Sequence, residues 1–483
     1  MGDTRSLGRR ILGKYRFSLP LALTKAILCA TVALLVAAAP EYFQWESAAN
    51  LSLAGKRMLT ILIFAAGLWI TEAFPAFAVS LLVMALQIAI LGRPGGAFTE
   101  EGDTENWRLF LAPWSSPLIW LFLGGFVLAS AAVQTKLDIT VARAVIQRFG
   151  TRPKNLLAGA MLTTFLLSMF MSNTATAAMM IAALTPVVTG LGETEKSFGK
   201  GLLLGIAMAA AVGGMGTIIG TPPNAIAVGN LAPESQVDFL RWMTIGFPPA
   251  LALTAFAWFY LTKRYPSHAE QVDIAFLSGS KRAEEAALEP LVRRHRKIVL
   301  VIFAAVITAW MTESLHHISA AVISFFAIAA LAVSGVVNAD QMRTLPWDVL
   351  ILMAGGLSLG VGVTETGLAQ WLTTLIPPDL PEPLLIIAII YLAVIMSNVM
   401  SNTAAAAILI PIAAGLPGGD SARLLAPIAL ASSCAMILPV STPPNAIAFA
   451  SKKLRSSDFA PGGLLIAALG PIVCYAWCWI VAR

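Results

Sequence analysis

Ser168-Met169-Phe170-Met171-Ser172-Asn173-Thr174-Ala175 returns 229 residues later as Ser397-Asn398-Val399-Met400-Ser401-Asn402-Thr403-Ala404. Each copy sits near the middle of a long run free of charged residues, 155–190 and 383–419. As one straight helix such a run would measure about 54 Å at 1.5 Å per residue. That is too long for one crossing of a ~30 Å hydrocarbon core and slightly short for two crossings plus a turn. A helical hairpin that enters and leaves on the same side, turning at Ser-Asn-Thr, fits the length. A polar tripeptide at such depth is costly unless it is buried in protein or lines a wet cavity. The pair therefore marks a candidate site as well as a fold.

The rest of the chain agrees with a membrane setting. Of 483 residues, 58% are hydrophobic and 12% charged, against about 25% charged in soluble domains. Eleven further runs with little or no charge lie at about 20–39, 58–74, 76–92, 117–135, 201–229, 243–262, 298–312, 318–337, 347–364, 424–450 and 461–482. The expected fold is an all-α polytopic membrane protein with about 11 transmembrane helices plus two re-entrant helical hairpins. The first run follows a basic lead (Arg5, Arg9, Arg10, Lys14, Arg16), a pattern shared with cleaved signal peptides. Its full span length favours a retained helix.

With a cytoplasmic N-terminus, the inside loops hold Lys136, Arg143, Arg148, Arg152, Lys154, Lys452, Lys453 and Arg455. The outside loops are acidic or balanced, with Glu100, Glu101, Asp103, Glu105, Glu365, Asp379 and Glu382. This satisfies the positive-inside rule and sets the C-terminus outside, in a plasma (inner) membrane. The net charge of +6 is carried largely beside apolar spans, as in Arg293-Arg294-His295-Arg296-Lys297. It reads as membrane anchoring and not as a nucleic-acid surface. Cys29, Cys434, Cys474 and Cys478 have no metal spacing and read as packing residues.

The halves repeat one another beyond the tripeptides. Trp69-Ile70-Thr71-Glu72 is echoed by Trp310-Met311-Thr312-Glu313, and Gly124-Gly125 by Gly355-Gly356. Thr221-Pro222-Pro223-Asn224-Ala225-Ile226-Ala227 recurs as Thr442-Pro443-Pro444-Asn445-Ala446-Ile447-Ala448. The features keep their order, at offsets of 241 to 221 residues. Each unit holds five crossings plus a hairpin, and an odd number inverts the second copy. An inverted-topology repeat is the build of many secondary transporters.

Ser, Asn and Thr supply hydroxyl and amide oxygens for a hard cation such as Na+, and O–H and N–H donors for a carboxylate. At a hairpin tip the returning helix begins just after the turn, so its free N–H groups and positive dipole end face the site. The prolines of Thr-Pro-Pro-Asn are expected to interrupt the helical ladder and free carbonyls for a cation. In a single copy, Ser, Thr and Pro of this kind serve packing and kinks as often as ligands. Pairing across a duplication removes that reading.

These paired motifs, with Leu123 to Phe126, resemble the divalent anion/sodium symporter family from about residue 58 to the C-terminus. The resemblance implies import of succinate, malate, fumarate, citrate or sulfate by a homodimer, each protomer moving a transport domain like an elevator against a scaffold. It implies a cytoplasmic segment 1–19, scaffold parts 20–135 and 298–365, transport parts 136–262 and 366–483, and a connector 263–297, which is expected to form a surface helix. Carried over by position, one sodium site uses Ser168, Ser172, Asn173 and the carbonyl of Gly220. The other uses Ser397, where the family often has Thr, Asn402 and the carbonyl of Ser441. The anion is implied between the tips, on Asn173, Thr174, Thr221, Asn402, Thr403, Thr442 and Pro443. Na+ is the coupling ion and no organic cofactor is implied.

Neither hairpin and neither Thr-Pro-Pro-Asn break contains Lys, Arg or His. A dianion near the midplane needs counter-charge, which leaves Na+ and helix dipoles, so symport is favoured over sodium-independent exchange. Sulfate or citrate remain alternative substrates, and a passive channel is the less favoured transport class. A membrane-embedded hydrolase has no His-Glu-x-x-His or Gly-x-Gly-Asp to support it. His316-His317 lacks a third ligand nearby and reads as interfacial. Glu72 and Glu313, at repeat-related span ends, read as structural groups over proton carriers.

Overall fold

The computed structural model describes residues 19–43, 51–93, 106–273, 289–377, 380–416 and 421–482. The basic lead Arg5 to Arg16, the acidic run Glu100 to Glu105, Asp379 and the connector centre 274–288 lie outside the described residues. Every regular element among the described residues is helical. That is the backbone's own solution in hydrocarbon, where each N–H and C=O must be satisfied within the segment. Among the described residues, seven helical stretches are long and apolar enough to cross a membrane, and five shorter apolar ones accompany them. The chain is an all-helical polytopic membrane protein.

The first half runs α1 (Leu19–Tyr42), α2 (Leu53–Ile70), α3 (Ala76–Gln87), α4 (Pro117–Gln134), α5 (Leu137–Phe149), α6 (Pro153–Ser168), α7 (Asn173–Gly190), α8 (Lys196–Gly213), α9 (Pro222–Gly229) and α10 (Phe239–Arg264). The second runs α11 (Pro290–Met311), α12 (Ala320–Val333), α13 (Trp347–Glu365), α14 (Leu368–Thr374), α15 (Glu382–Val399), α16 (Asn402–Ala414), α17 (Ala422–Ser432), α18 (Pro443–Ala450) and α19 (Ser456–Val481). The two charge-free runs are thus each two packed helices, α6 with α7 and α15 with α16, turning where Ser-Asn-Thr begins. Two segments read as loops are partly helical. Residues 137–149 form α5, with Asp138, Ala142 and Ile146 buried along one face. The basic run 293–297 belongs to the first turns of α11, which Pro290 opens at N1.

Repeat-related residues do the same structural work. The Trp69 indole donates to the carbonyl of Ala76 at 3.2 Å, and Trp310 to that of Ala320 at 3.0 Å. Each tryptophan ties the end of one helix to the first residue of the next. Glu72 and Glu313 diverge: Glu72 is exposed at a positive φ of 47°, whereas Glu313 accepts from the Ala320 N–H at 3.3 Å. His316 uses both ring nitrogens locally, toward Ala309 O at 2.9 Å and Ile318 N at 3.1 Å.

The glycine pairs set the helix crossings. A Cβ on Gly124 would stand 2.5 Å from Ser324 Cβ, and one on Gly355 only 2.3 Å from Ser80 Cβ. So α4 meets α12, and α13 meets α3, at backbone contact. The second glycine of each pair faces the segments that carry the tripeptides and breaks. A Cβ on Gly125 would lie 3.1 Å from Ile219, and one on Gly356 would lie 2.9 Å from Ala407. Elements of one half therefore pack on their partners from the other half.

Candidate ion and anion site

The tripeptides are helix starts. Ser172 is the N-cap of α7, in extended conformation, and its Oγ accepts from Ala175 N at 3.2 Å. Ser401 caps α16 in the same way, accepting from Ala404 N at 3.2 Å. A cap of this kind is worth about 1 kcal/mol. Asn173 and Thr174, like Asn402 and Thr403, then occupy the first turn, where backbone N–H groups have no carbonyl four residues back.

The Thr-Pro-Pro-Asn segments are helix starts too, which corrects the expectation that the prolines cause the break. α8 ends at Gly213 and α17 at Ser432, before the prolines are reached. Pro222 and Pro443 instead open α9 and α18 at N1, behind Thr221 and Thr442 as N-caps. A proline there loses no ladder bond, because that N–H has no partner anyway. Between the half-helices the chain is held by the fourth motif residue. Asn224 Nδ2 donates to Gly214 O at 3.0 Å and Thr217 O at 2.7 Å. Asn445 Nδ2 donates to Met436 O and Leu438 O, both at 3.0 Å. Both asparagines are fully buried.

Four helix starts meet. α9 packs along α16, and their C-terminal ends (Gly229 to Leu231, Ala414 to Leu416) line one cavity of about 730 Å³, so the two helices point the same way. α7 and α18 are paired likewise, sharing a cavity of about 370 Å³ toward their C-terminal ends. The pairs join at the tips. Thr217 Oγ1 donates to Met169 O beside the first tip, and Ser441 Oγ lies 3.4 Å from Asn398 O beside the second. Four positive dipole ends thus converge without a Lys, Arg or His on any of the four helices.

In the first half, oxygens crowd around Asn173. Its Oδ1 lies 2.6 Å from Ser168 Oγ, 3.2 Å from Ala210 O and 3.3 Å from Gly220 O. Ser168 Oγ is also 2.7 Å from Ala210 O, yet its hydroxyl has one hydrogen to give. The amide turned so that its N–H₂ faces these acceptors donates to them and relieves the crowding; the same residues carry the oxygens that could hold a hard cation. Ser168, Asn173 and the Gly220 carbonyl come together here, while the Ser172 hydroxyl is engaged in its cap. The Ala210 carbonyl carried no sequence signal.

In the second half, Ser397 Oγ and Asn402 Oδ1 are buried without a hydrogen-bond partner. Ser441 Oγ binds Asn398 Oδ1 at 3.0 Å, and the same oxygen accepts from Ile437 N at 3.0 Å. Asn398 lies outside both tripeptides, and its counterpart is Met169, so the duplication gave no reason to single it out. Asn224 and Asn445 stood in a repeated motif, which was their signal. Of the anion set, Thr221 and Thr442 are buried, Asn173, Asn402 and Thr403 half-buried, and Thr174 and Pro443 exposed.

A citrate transporter (CitMHS) family profile matches residues 66–422. The sodium-dependent dicarboxylate transporter SdcS of Staphylococcus aureus is 32% identical over 470 residues, covering 90% of this chain and 86% of that one. SdcS of Staphylococcus saprophyticus is 33% identical over 459 residues, covering 88% and 85%. Among solved structures, Neisseria gonorrhoeae MtrF, described as illuminating a class of antimetabolite efflux pumps, superposes with a TM-score of 0.53 at 13% identity. The alignment covers 86% of this chain and 94% of that one, a likeness of fold.

Proposed function

The chain belongs to the citrate transporter (CitMHS) family and is a relative of sodium-dependent dicarboxylate transporters, and from that premise we propose that it is a sodium-coupled symporter of a divalent anion, a C4-dicarboxylate such as succinate, malate or fumarate. The observation that carries the reading is the meeting of four helix N-termini at two oxygen-rich tips with no cationic side chain on those helices. Two carboxylates suit two tips, one at each, held by Asn173, Thr174 and Thr221 on one side and Asn402, Thr403, Thr442 and Pro443 on the other. Helix N-termini supply only partial, unfixed counter-charge that fades beyond the first turn, and with no Lys, Arg or His on those helices the full positive charges of this reading are Na+. One ion is assigned to Ser168, Ser172, Asn173 and the Gly220 carbonyl, with the Ala210 carbonyl added by its distance. The other is assigned to Ser397, Asn402 and the Ser441 carbonyl.

In this reading the halves form an inverted repeat of 11 spans and two re-entrant hairpins, with the N-terminus cytoplasmic and the C-terminus outside. Residues 20–135 and 298–365 form the fixed scaffold, and 136–262 and 366–483 move as an elevator within a homodimer. The glycine contacts of Gly125 and Gly356 with Ile219 and Ala407 lie on the boundary between those parts. The test is uptake of labelled succinate into proteoliposomes with and without an inward Na+ gradient. Uptake is expected to require the gradient and to fall at least fiftyfold in Asn173→Ala and Asn402→Ala. Equal uptake in sodium-free medium overturns the symport reading; unchanged uptake in both variants overturns the site.

A further inference from the structure

The two repeats match in sequence but not in exposure. One side of α7 is open along its whole length: Thr174, Ala178, Ala182, Thr185 and Thr189 are all exposed, and steps of three or four place them on one face. Their counterparts on α16 are covered. Thr403 and Ala414 are half-buried, and Ala407 and Pro411 are buried. The partner helices differ in the same sense, since Ala446 and Phe449 of α18 are exposed whereas Ala225 and Val228 of α9 are buried. The cover is α13. It packs on α16 and α9, with Gly356 against Ala407, and its Leu357, Gly360 and Thr364 wall the cavity of about 730 Å³. No residue of α4, the counterpart of α13, lines the cavity of about 370 Å³ between α7 and α18.

The open face is not composed like one that meets lipid. Exposed residues of α1 include Leu21, Ile27, Leu28 and Leu35, whereas the open face of α7 holds only alanines and threonines. The smaller cavity follows that face from Ala178 to Thr189, about 16 Å at 1.5 Å per residue, and Ala178 stands one turn beyond Thr174. Charge then separates the two cavities. Among the described residues, the charged side chain lining the smaller one is Lys453, and those lining the larger are Glu234 and Glu365. The repeat counterpart of Lys453 is Ala232. Lys452, at a positive φ of 61°, turns the chain at the end of α18, and Lys453 N donates to Ser451 Oγ at 3.3 Å. The Lys453 ammonium is exposed, with no ion-pair partner among the described residues. It stands where α7 and α18 both end, and helix C-termini carry partial negative charge that repels an anion.

We propose that the groove between α7 and α18 is the route by which the anion passes between its site and the membrane face that bears Lys453, and that Lys453 draws the anion past the helix ends at the mouth. This rests on the anion-transport reading above, whose orientation makes that face cytoplasmic. A fixed cation at a narrow mouth raises the local concentration of anions and lowers that of cations.

The test is thiol modification of full-length protein in detergent, which involves no transport step. The probes are the anionic methanethiosulfonate ethylsulfonate and the cationic methanethiosulfonate ethyltrimethylammonium. The four native cysteines are buried and set the background rate. Ala178→Cys and Thr185→Cys are expected to react at least tenfold faster than that background, and Ala407→Cys at the background rate. The anionic-to-cationic rate ratio at Thr185→Cys is expected to fall about three- to tenfold in Lys453→Gln and to stay within twofold in Lys453→Arg. The difference should fade in about 0.5 M choline chloride, because salt screens exposed charge. Background rates at both Ala178→Cys and Thr185→Cys overturn the route. A ratio unmoved by Lys453→Gln overturns the role of the lysine. Either result leaves sodium-driven succinate uptake untouched. If that uptake is absent while the labelling pattern holds, the anion-transport reading fails and takes the assignment of this route with it.

Discussion

The first and second hairpin tips share one tripeptide but make different bonds. At the first, Ser168, Asn173 and two carbonyls crowd within 3.3 Å, and the crossing helix contributes only backbone. At the second, Asn398 binds Ser441 and Ile437 N, while Ser397 and Asn402 keep unpartnered buried oxygens. The tripeptide decides where a helix starts, because Ser172 and Ser401 cap identically. Which bonds form at each tip is decided by neighbours the duplication did not preserve: Met169 against Asn398, and Gly220 against Ser441. A duplicated site is symmetric in its backbone frame and free to differ in its ligands.

Substitutions in matched pairs would break or sharpen this contrast. After the tip asparagines, the largest effect is expected from Gly214→Ala. Its Cβ would stand 2.7 Å from Asn173 Oδ1 and 3.0 Å from Gly220 O, leaving the first cluster no room. A Na+ titration of uptake should show at least a tenfold rise in the concentration for half-maximal rate. A rise below twofold would mean the first tip tolerates a side chain after all. Next come Asn224→Ala and Asn445→Ala. Each removes two hydrogen bonds to buried carbonyls, a loss of roughly 2–4 kcal/mol, and each should lower the thermal midpoint in detergent by a similar amount. A clear inequality would show that the clamps have diverged as the ligands have.

The smallest effect lies at the far end of the first crossing helix. Burial pushes the Glu195 carboxyl up, but bonds from the Ser267 hydroxyl and the His268 and Ala269 N–H groups outweigh it and hold the group below its ordinary value. A lowered value means stabilisation that is present above the unfolded carboxylate range, near pH 4.3, and lost as pH falls through the folded value. Glu195→Gln should therefore reduce amide-exchange protection at His268 and Ala269 a few-fold at pH 7. Unaltered protection would detach the start of α8 from the connector.

Much of the fold could be read before any coordinates. Run lengths 155–190 and 383–419 called for hairpins, and the turns fall at residues 169–172 and 400–401. The repeated Trp69 and Trp310 announced equal roles and have them. The prolines misled in detail, because the same residue that breaks a helix interior is favoured at a helix start, and sequence spacing does not distinguish the two. The site was legible only where both copies agree. Ala210 enters through its carbonyl, which every residue possesses, so no side-chain pattern can reveal it. Asn398 differs from its counterpart Met169, and a search for likeness passes over it.

By itself the sequence determined that this chain crosses a membrane many times, that it is built twice over, and that two Ser-Asn-Thr helix starts are its polar exceptions. These follow from local properties: apolar run length, period and capping chemistry. Only the tertiary structure decided which oxygens meet at each start, because Ser168 and Ala210, or Asn398 and Ser441, are about 40 residues apart in the chain. Their approach depends on how closely helices cross, and glycines such as Gly214 or Gly356 set that distance through atoms they lack.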